Sequence, residues 1–595
     1  MRRTDTLPPE EGARWALRSL VVGFFLLSGV AILGARAAYL MLLSGDDFAR
    51  ASRSNAIKEI VLHPPRGVIL DAHGEILATN RPSFDCVFLP LGTDPREDPV
   101  RARRFSEVLG VPEDEIRAAL REGRKTPFRA VSLIEGLAEE PARALRVRIG
   151  ERRSTLEGLS LEPRPHRFVA MGAALGHLLG YLSEVTPQEM DGDPSGHRMG
   201  DRVGRAGVER ALDDVLAGTK GKSTVEVDAR GQVVRTIQEI APVPGSEVTL
   251  TIRAELQRAA ADSMAGLEGA VVAIEPTTGR LLAFHSAPSF DPNVFLDPTR
   301  QAERRALLSD TVHKPTYNRA LLASYPPGST FKVGVLSAAW DTIRPDWRIL
   351  CEGSYRGQGC WKKTGHGWIS MRSGLVNSCD VYFYRVGEEL GNEALVPVVR
   401  GLGLGRPPGL DFGPEGSGVV PTPEWERENV NPLERWGDGD NRNTAIGQGY
   451  VLVTPTQLAR MMASVAAGGR RYRLQVVEKV RDPSGRVVRS FQPELEEDLG
   501  WSEEKRHFLL DALEGVVAEG TGTRARIEGL RVGGKTGTAQ NAHGEDHAWF
   551  ICAAPIEDPK IAVAVLVVHG AHGSTAAAPI ARRILEVWAR AEGRL

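Results

Sequence analysis

A serine and a lysine three residues apart, Ser329 and Lys332 in the run Pro326-Pro327-Gly328-Ser329-Thr330-Phe331-Lys332, offer the parts for nucleophilic acyl transfer. The run opens an apolar, helix-like stretch from Val333 to Trp340. Residues three apart on a helix share one face about a turn apart, so the amine can reach the hydroxyl. A serine hydroxyl alone is a poor nucleophile; it needs a base, and a lysine serves when burial or a second cation lowers its pKa. Spacing by itself decides little. Ser502-Glu503-Glu504-Lys505 repeats it among acids expected to keep Lys505 charged and solvated.

Company in the right order carries more weight. Ser378-Cys379-Asp380 follows the first pair, and Gly534-Lys535-Thr536-Gly537-Thr538 comes later on a predicted strand. Ser-x-x-Lys, then an element of the Ser-x-Asn type, then Lys-Thr-Gly is the signature of penicillin-recognising serine enzymes. Lys363-Thr364-Gly365 also spells the last element, but it precedes Ser378 and runs into His366-Gly367 instead of a strand, so it is set aside.

These residues need a scaffold. Gly269–Ile274 and Arg280–Phe284 flank the turn Pro276-Thr277-Thr278-Gly279; Leu530–Gln540, Ala548–Ala553 and Ile561–Val568 read as three later strands, and Ala577–Ala591 as a closing helix. Helices between the early and late strands predict an α+β fold, an antiparallel sheet covered by helices. Upstream, His63 to Ala78 reads as a hairpin, residues 95–160 as solvated, supporting helices, and Gly204–Glu209 as the lead into a helix and then Val225–Asp228. Pro242-Val243-Pro244-Gly245 punctuates a domain boundary just before a strand from Glu247 to Ile252.

The chain has 595 residues, 42% hydrophobic and 25% charged, which is a folded multi-domain composition. Its 74 basic and 76 acidic residues leave a formal charge of -2, so no global field draws it to nucleic acid. From Ser19 to Ala35 no charge occurs, and the apolar character resumes after Arg36 through Leu43. That length crosses a bilayer and exceeds the core of a typical signal peptide, so an uncleaved anchor is expected although Ala35-Arg36-Ala37 resembles a cleavage site. Arg2, Arg3, Arg14 and Arg18 before the span lean toward an inside N-terminus, against Arg50, Arg53 and Lys58 after it. Five cysteines are too few for a disulfide framework in an exported chain.

The ordered motifs, with the segments Arg66–Ala78 and Gly204–Glu209, Asp291-Pro292-Asn293, Tyr317-Asn318-Arg319 and Ala445–Gly449, resemble the class B penicillin-binding proteins, most of all the elongation type. Asp380 in place of the commoner Asn favours that branch. The resemblance implies residues 1–18 as cytoplasmic tail, 19–43 as a single transmembrane helix, 44–245 as an extended, non-catalytic, dimerisation-type pedestal, and 246–595 as a penicillin-binding/β-lactamase-like transpeptidase domain outside the bacterial cytoplasmic membrane. It implies a D,D-transpeptidase that cross-links peptidoglycan stem peptides during elongation, binds β-lactam antibiotics covalently, needs no organic cofactor and partners a SEDS-family glycosyltransferase of the RodA type. A division-type relative, or a non-catalytic scaffold for that glycosyltransferase, are the alternatives.

By the same resemblance Ser329 attacks the penultimate D-Ala carbonyl, Lys332 takes its proton, and Ser378 relays a proton to the leaving group. Asp380 and Lys535 hold the network, with Lys535 helping to keep Lys332 neutral. Thr536, Gly537 and Thr538 bind the substrate, the two threonines at its carboxylate, and the N–H groups of Ser329 and Thr538 form the oxyanion hole. Cys351, Cys360, His366 and Cys379 are open to three readings: a Cys3His zinc site like one held by some elongation-type relatives, a Cys351–Cys360 disulfide, or Cys379 packing beneath Ser378. Cys86 and Cys552 read as buried small hydrophobes, and His543 and His547 as rim or loop residues.

Overall fold

The structure, a computed structural model, describes residues 9–43, 57–90, 93–125, 130–152, 155–190, 197, 200–227, 233–410, 412–430, 433, 435–541 and 544–595. The helix Pro9–Ala38, continued by the π-helical turn Tyr39–Leu43, contains the stretch Leu17–Met41, 25 residues of mean hydropathy 2.0 with no part of it buried in the protein. It is long and apolar enough to cross a bilayer.

The catalytic half is built on a five-stranded antiparallel sheet. Its strands run in the order Leu281–Ala287, Gly269–Ile274, Ile561–Val567, His547–Ala554, Gly533–Ala539. The period-2 alternation of a strand sends neighbouring side chains to opposite faces, and here both faces are covered. Val271, Phe550 and Val563 meet Leu256, Ile584 and Trp588 of the helices Ala254–Ser263 and Ala577–Ala591. Val272, Trp549 and Ala564 meet Phe331, Leu458 and Met462 on the other side. The helix Pro455–Ala466 has all twelve residues buried, as a helix sandwiched between sheet and further helices must. The expected strands and closing helix are all present.

The upstream hairpin is present too, as Ile69–Leu70 and Ile76–Arg81. Residues 95–160 differ from the sequence expectation. They hold the helices Asp98–Leu109, Glu113–Lys125 and Glu139–Glu151, but the strand Val131–Leu137 lies among them and joins Phe84–Phe88 and Leu159–Pro163 in a separate sheet. Those helices are not merely solvated: Phe105, Ile116, Leu120 and Leu145 close a core of their own with Cys86 and Phe88.

The two halves share one sheet. Its order is Val487–Ser490, Val477–Arg481, Glu247–Leu250, Ile69–Leu70, Ile76–Arg81, His166–Val169, so strands from both sides of the Pro242–Gly245 punctuation lie side by side. The parallel pairing of Val248 with Ile69 is the seam. Backbones approach so closely there that a Cβ on Gly67 would sit 1.9 Å from the Ser246 carbonyl oxygen, which only glycine permits. Beside the seam Glu209 is buried between two guanidinium groups, accepting from Arg66 Nε at 2.6 Å and Arg167 Nε at 2.7 Å. Both cations hold its carboxyl below the usual range despite burial.

Candidate active site

Ser329 sits on the single turn Gly328–Thr330 that feeds the helix Lys332–Ala339. Three contacts fix that turn: Gly328 N–H donates to Gly447 O at 2.9 Å, Trp549 Nε1–H to Pro326 O at 3.0 Å, and the Thr330 hydroxyl to Pro327 O at 2.7 Å. The strand Gly533–Ala539 forms one edge of the five-stranded sheet and lies against the turn. Gly537 is where they touch, since a Cβ there would meet Thr330 Cγ2 at 2.8 Å and Pro327 O at 2.9 Å. Sheet edge and nucleophile turn are thereby held at fixed separation, with Ser329 half-buried and reachable.

Every residue of the helix Lys332–Ala339 is buried, Lys332 included. Its ammonium is not stranded. Lys332 Nζ donates to Asp380 Oδ1 at 2.7 Å, to Ser378 O at 3.0 Å and toward Ser378 Oγ at 3.4 Å. From the opposite side Lys535 Nζ donates to the same Ser378 Oγ at 2.9 Å and to Thr536 O at 3.0 Å. Burial, and then the charge on Lys332, push the Lys535 amine well below the ordinary lysine value, while Asp380 pulls the other way. Lys332 and neighbouring donors hold the Asp380 carboxyl below the usual carboxylate range against its burial. Asp380 and the two amines thus form one hydrogen-bonded group around the Ser378 turn, with Asp380 on Lys332 and Ser378 Oγ between the amines.

Ser378 precedes the long helix Asp380–Gly401 and has φ of +53°. A non-glycine residue in that left-handed region costs about 1–3 kcal/mol and persists only where its surroundings over-determine it. Ser329, Lys332, Ser378, Asp380 and Lys535 are gathered in one place, although among the described residues no hydrogen bond reaches the Ser329 hydroxyl. On the edge strand Thr538 is half-open, whereas Thr536 is buried and shares a 2.7 Å hydrogen bond with the Thr521 hydroxyl.

Cys351, Cys360, His366 and Cys379 also converge, their ligand atoms lying within 4.8 Å of one another and no disulfide joining them. Cys351 Sγ and Cys360 Sγ are each 3.6 Å from His366 Nδ1. A tetrahedral zinc with Zn–S near 2.3 Å and Zn–N near 2.0 Å separates S from N by roughly 3.6 Å, so the donor set fits that metal. The small sheet of Ile349–Cys351 with Gly367–Ile369 positions two of the donors, and the Ser378 turn carries a third.

Other expectations are corrected. Lys505 is paired where it was expected to be solvated: it is 3% exposed, with Nζ donating to Asp341 Oδ2 at 2.6 Å over the Trp501 ring, and Ser502 merely caps its helix. Lys363-Thr364-Gly365 belongs to the loop of the cysteine cluster and does run into a strand, Gly367–Ile369, but that strand pairs only with Ile349–Cys351, outside the five-stranded sheet. His547 lies in a strand, mostly buried against Tyr325 and His569, while His543 lies outside the described residues. Cys86 and Cys552 are fully buried, and burial pushes both thiols up. Sequence reasoning passed over Trp361 and Thr521. Nothing in the sequence distinguishes Thr521 within its turn; Trp361 is signalled only by following Cys360.

Comparison with known proteins decides the family. The penicillin binding protein transpeptidase domain matches residues 269–586 and the penicillin-binding protein dimerisation domain matches residues 61–250. The chain is a class B penicillin-binding protein. Peptidoglycan D,D-transpeptidase MrdA of Haemophilus influenzae is 31% identical over 96% of this chain and 92% of its own length. Among solved structures, the complex of penicillin-binding protein 2 and MreC from Helicobacter pylori is similar with a TM-score of 0.78 at 26% identity, covering 91% of this chain and 99% of that one. A chain from a peptidoglycan synthase complex that coordinates polymerization and crosslinking is similar with a TM-score of 0.71 at 31% identity, covering 96% and 98%. This penicillin-binding protein is of the elongation type, and its activity is that of a serine D-Ala-D-Ala transpeptidase of peptidoglycan synthesis.

Proposed function

We propose that Ser329 is the acylated nucleophile and that the two amines on either side of Ser378 Oγ manage its proton. Ser329 Oγ bonds to the penultimate D-Ala carbonyl carbon, the D-Ala–D-Ala C–N bond breaks, and the serine proton ends on the departing amine. An acceptor amine then attacks the ester, forms the cross-link and returns a proton to Ser329. The observation that carries this reading is the double contact of Ser378 Oγ, 2.9 Å from Lys535 Nζ and 3.4 Å from Lys332 Nζ. Proton exchange between the two amines through that hydroxyl leaves Lys332 able to receive the proton of Ser329. Asp380 orients Lys332, Thr538 with Thr536 and Gly537 presents the strand edge to the substrate carboxylate, and the N–H groups of Ser329 and Thr538 stabilise the oxyanion.

Labelling with fluorescent penicillin tests the assignment. The wild-type chain should label and Ser329→Ala should not; equal labelling of both, or of neither, would sink it.

The finer architecture follows the same reading. Residues 1–18 lie in the cytoplasm, 19–43 cross the membrane, 44–245 form the pedestal and 246–595 the transpeptidase domain outside, with the arginines before the span favouring that orientation. The described chain of the synthase complex and the MreC complex support assembly with other wall-growth proteins, here a SEDS-family glycosyltransferase of the RodA type. Stem peptides and β-lactams are the ligands of the Ser329 cleft. Cys351, Cys360, His366 and Cys379 hold a structural zinc, supported by the 3.6 Å sulfur–nitrogen separations.

A further inference from the structure

One large side chain beside the catalytic turn is not explained by burial. Trp361 is 56% exposed, so its ring adds little to any core. Yet both of its N–H groups go to the turn that carries Ser378. The backbone N–H donates to Asp380 Oδ2 at 2.9 Å, and the indole Nε1–H donates to Asn377 O at 3.0 Å. Those acceptors stand immediately before Ser378 and two residues after it, at the two ends of a turn whose middle residue has φ of +53°. A turn held in the left-handed region by a non-glycine residue relaxes unless its ends are fixed from outside.

The carboxylate end has a second consequence. Asp380 Oδ1 holds Lys332 Nζ at 2.7 Å, so Trp361 N–H on the other oxygen sets the rotation of the group that orients the lysine. Trp361 is itself braced, its ring edge-on to His366 at 5.3 Å between centroids. The chain therefore runs from a fixed loop through two N–H donors to the positions of Ser378 Oγ and Asp380.

We propose that Trp361 is a positioning residue for acylation: its two N–H groups clamp the Asn377–Asp380 turn so that Ser378 Oγ stays between the two amines and Asp380 stays on Lys332. This rests on the roles assigned to Ser329, Ser378 and Asp380 above.

Trp361→Phe keeps an aromatic ring and the backbone donor and deletes the indole N–H together with the five-membered part of the ring. In the full-length protein, the rate of penicillin acylation against concentration separates the acylation rate constant from the dissociation constant of the initial complex. The clamp predicts a rate constant lower by about 10- to 100-fold, the scale on which small misplacements of catalytic groups act. The dissociation constant should stay within about threefold of wild type, as for a group that acts beyond ground-state binding. If Trp361→Phe melts early, benzothienylalanine at position 361, which replaces the N–H with sulfur at nearly constant shape, should show the same slowing. An unchanged rate constant, or a loss confined to the dissociation constant, overturns the proposal; the second result would make Trp361 a wall that touches substrate. Ser329→Ala separates the two readings. If it labels, the nucleophile assignment fails; if it is silent while Trp361→Phe reacts normally, only the clamp fails.

Discussion

Two amines and one carboxylate surround the Ser378 hydroxyl, and their protonation decides which can receive the Ser329 proton. Lys535 is fully buried and faces Lys332, and burial first and then that neighbour hold its amine well below the ordinary lysine value. Lys535→Arg keeps length and donors but cannot give up its charge. Acylation by penicillin should fall about 100-fold in that variant, on the scale of a lost general base, and a rate within about threefold of wild type would show that a neutral group at 535 is not needed. The identities of Ser329, Lys332, Ser378 and Lys535 were legible because their order and spacing follow from the chemistry. The placement of Asp380 on Lys332 was not, because it depends on a 2.7 Å contact between residues 48 apart. Trp361 escaped for a related reason, since its link to Asp380 runs through a backbone N–H that any residue type possesses.

The elements repeat this division. The five strands of the central sheet were legible, being apolar runs bounded by turn residues and buried on both faces, and so was the helix that starts at the nucleophile turn. The strand Val131–Leu137 was not. Its residues are mostly half-buried, and the charged helices on either side of it impose their own period on the surrounding sequence. The cysteine cluster lies between these cases: its residue types were visible, but only the pairing of Ile349–Cys351 with Gly367–Ile369 brings Cys351 to His366. Elemental analysis of the purified full-length chain should find one zinc per molecule. Cys360→Ser should lose most of it and melt earlier, because a metal on those four residues would tie that small sheet to the Ser378 turn. A wild-type chain free of zinc would end the metal reading.

At the scale of the whole molecule, one ribbon in the N-terminal half leaves apolar side chains uncovered. Ile57–Leu62, Gly221–Val227 and Val233–Ile240 form a three-stranded antiparallel ribbon, and along its last strand Val234, Ile237 and Ile240 are all exposed. An apolar edge strand in water invites association, and natural proteins usually cover or charge one. If the proposed RodA-type glycosyltransferase docks on this ribbon, amide hydrogen exchange in residues 233–240 should slow when that partner is co-purified with this chain. Unchanged exchange there, with partner bound, would place the contact elsewhere.

The shared six-stranded sheet bears on the order in which the chain can fold. Ile69–Leu70 emerge early, but their neighbour Glu247–Leu250 comes about 180 residues later, and the strand beyond it, Val477–Arg481, more than 220 residues after that. Contacts of such long sequence separation form slowly, since loop closure must precede the contacts that reward it. The anchored end therefore waits, with one edge of its hairpin unpaired, for a strand that begins after the region taken as the pedestal ends. A cut at residue 245 would remove Ile69 from beside Val248 and strip that strand of one neighbour, and the pairing of Val248 with Val480 crosses between the matched regions 61–250 and 269–586, which are separable in sequence but mature as one piece.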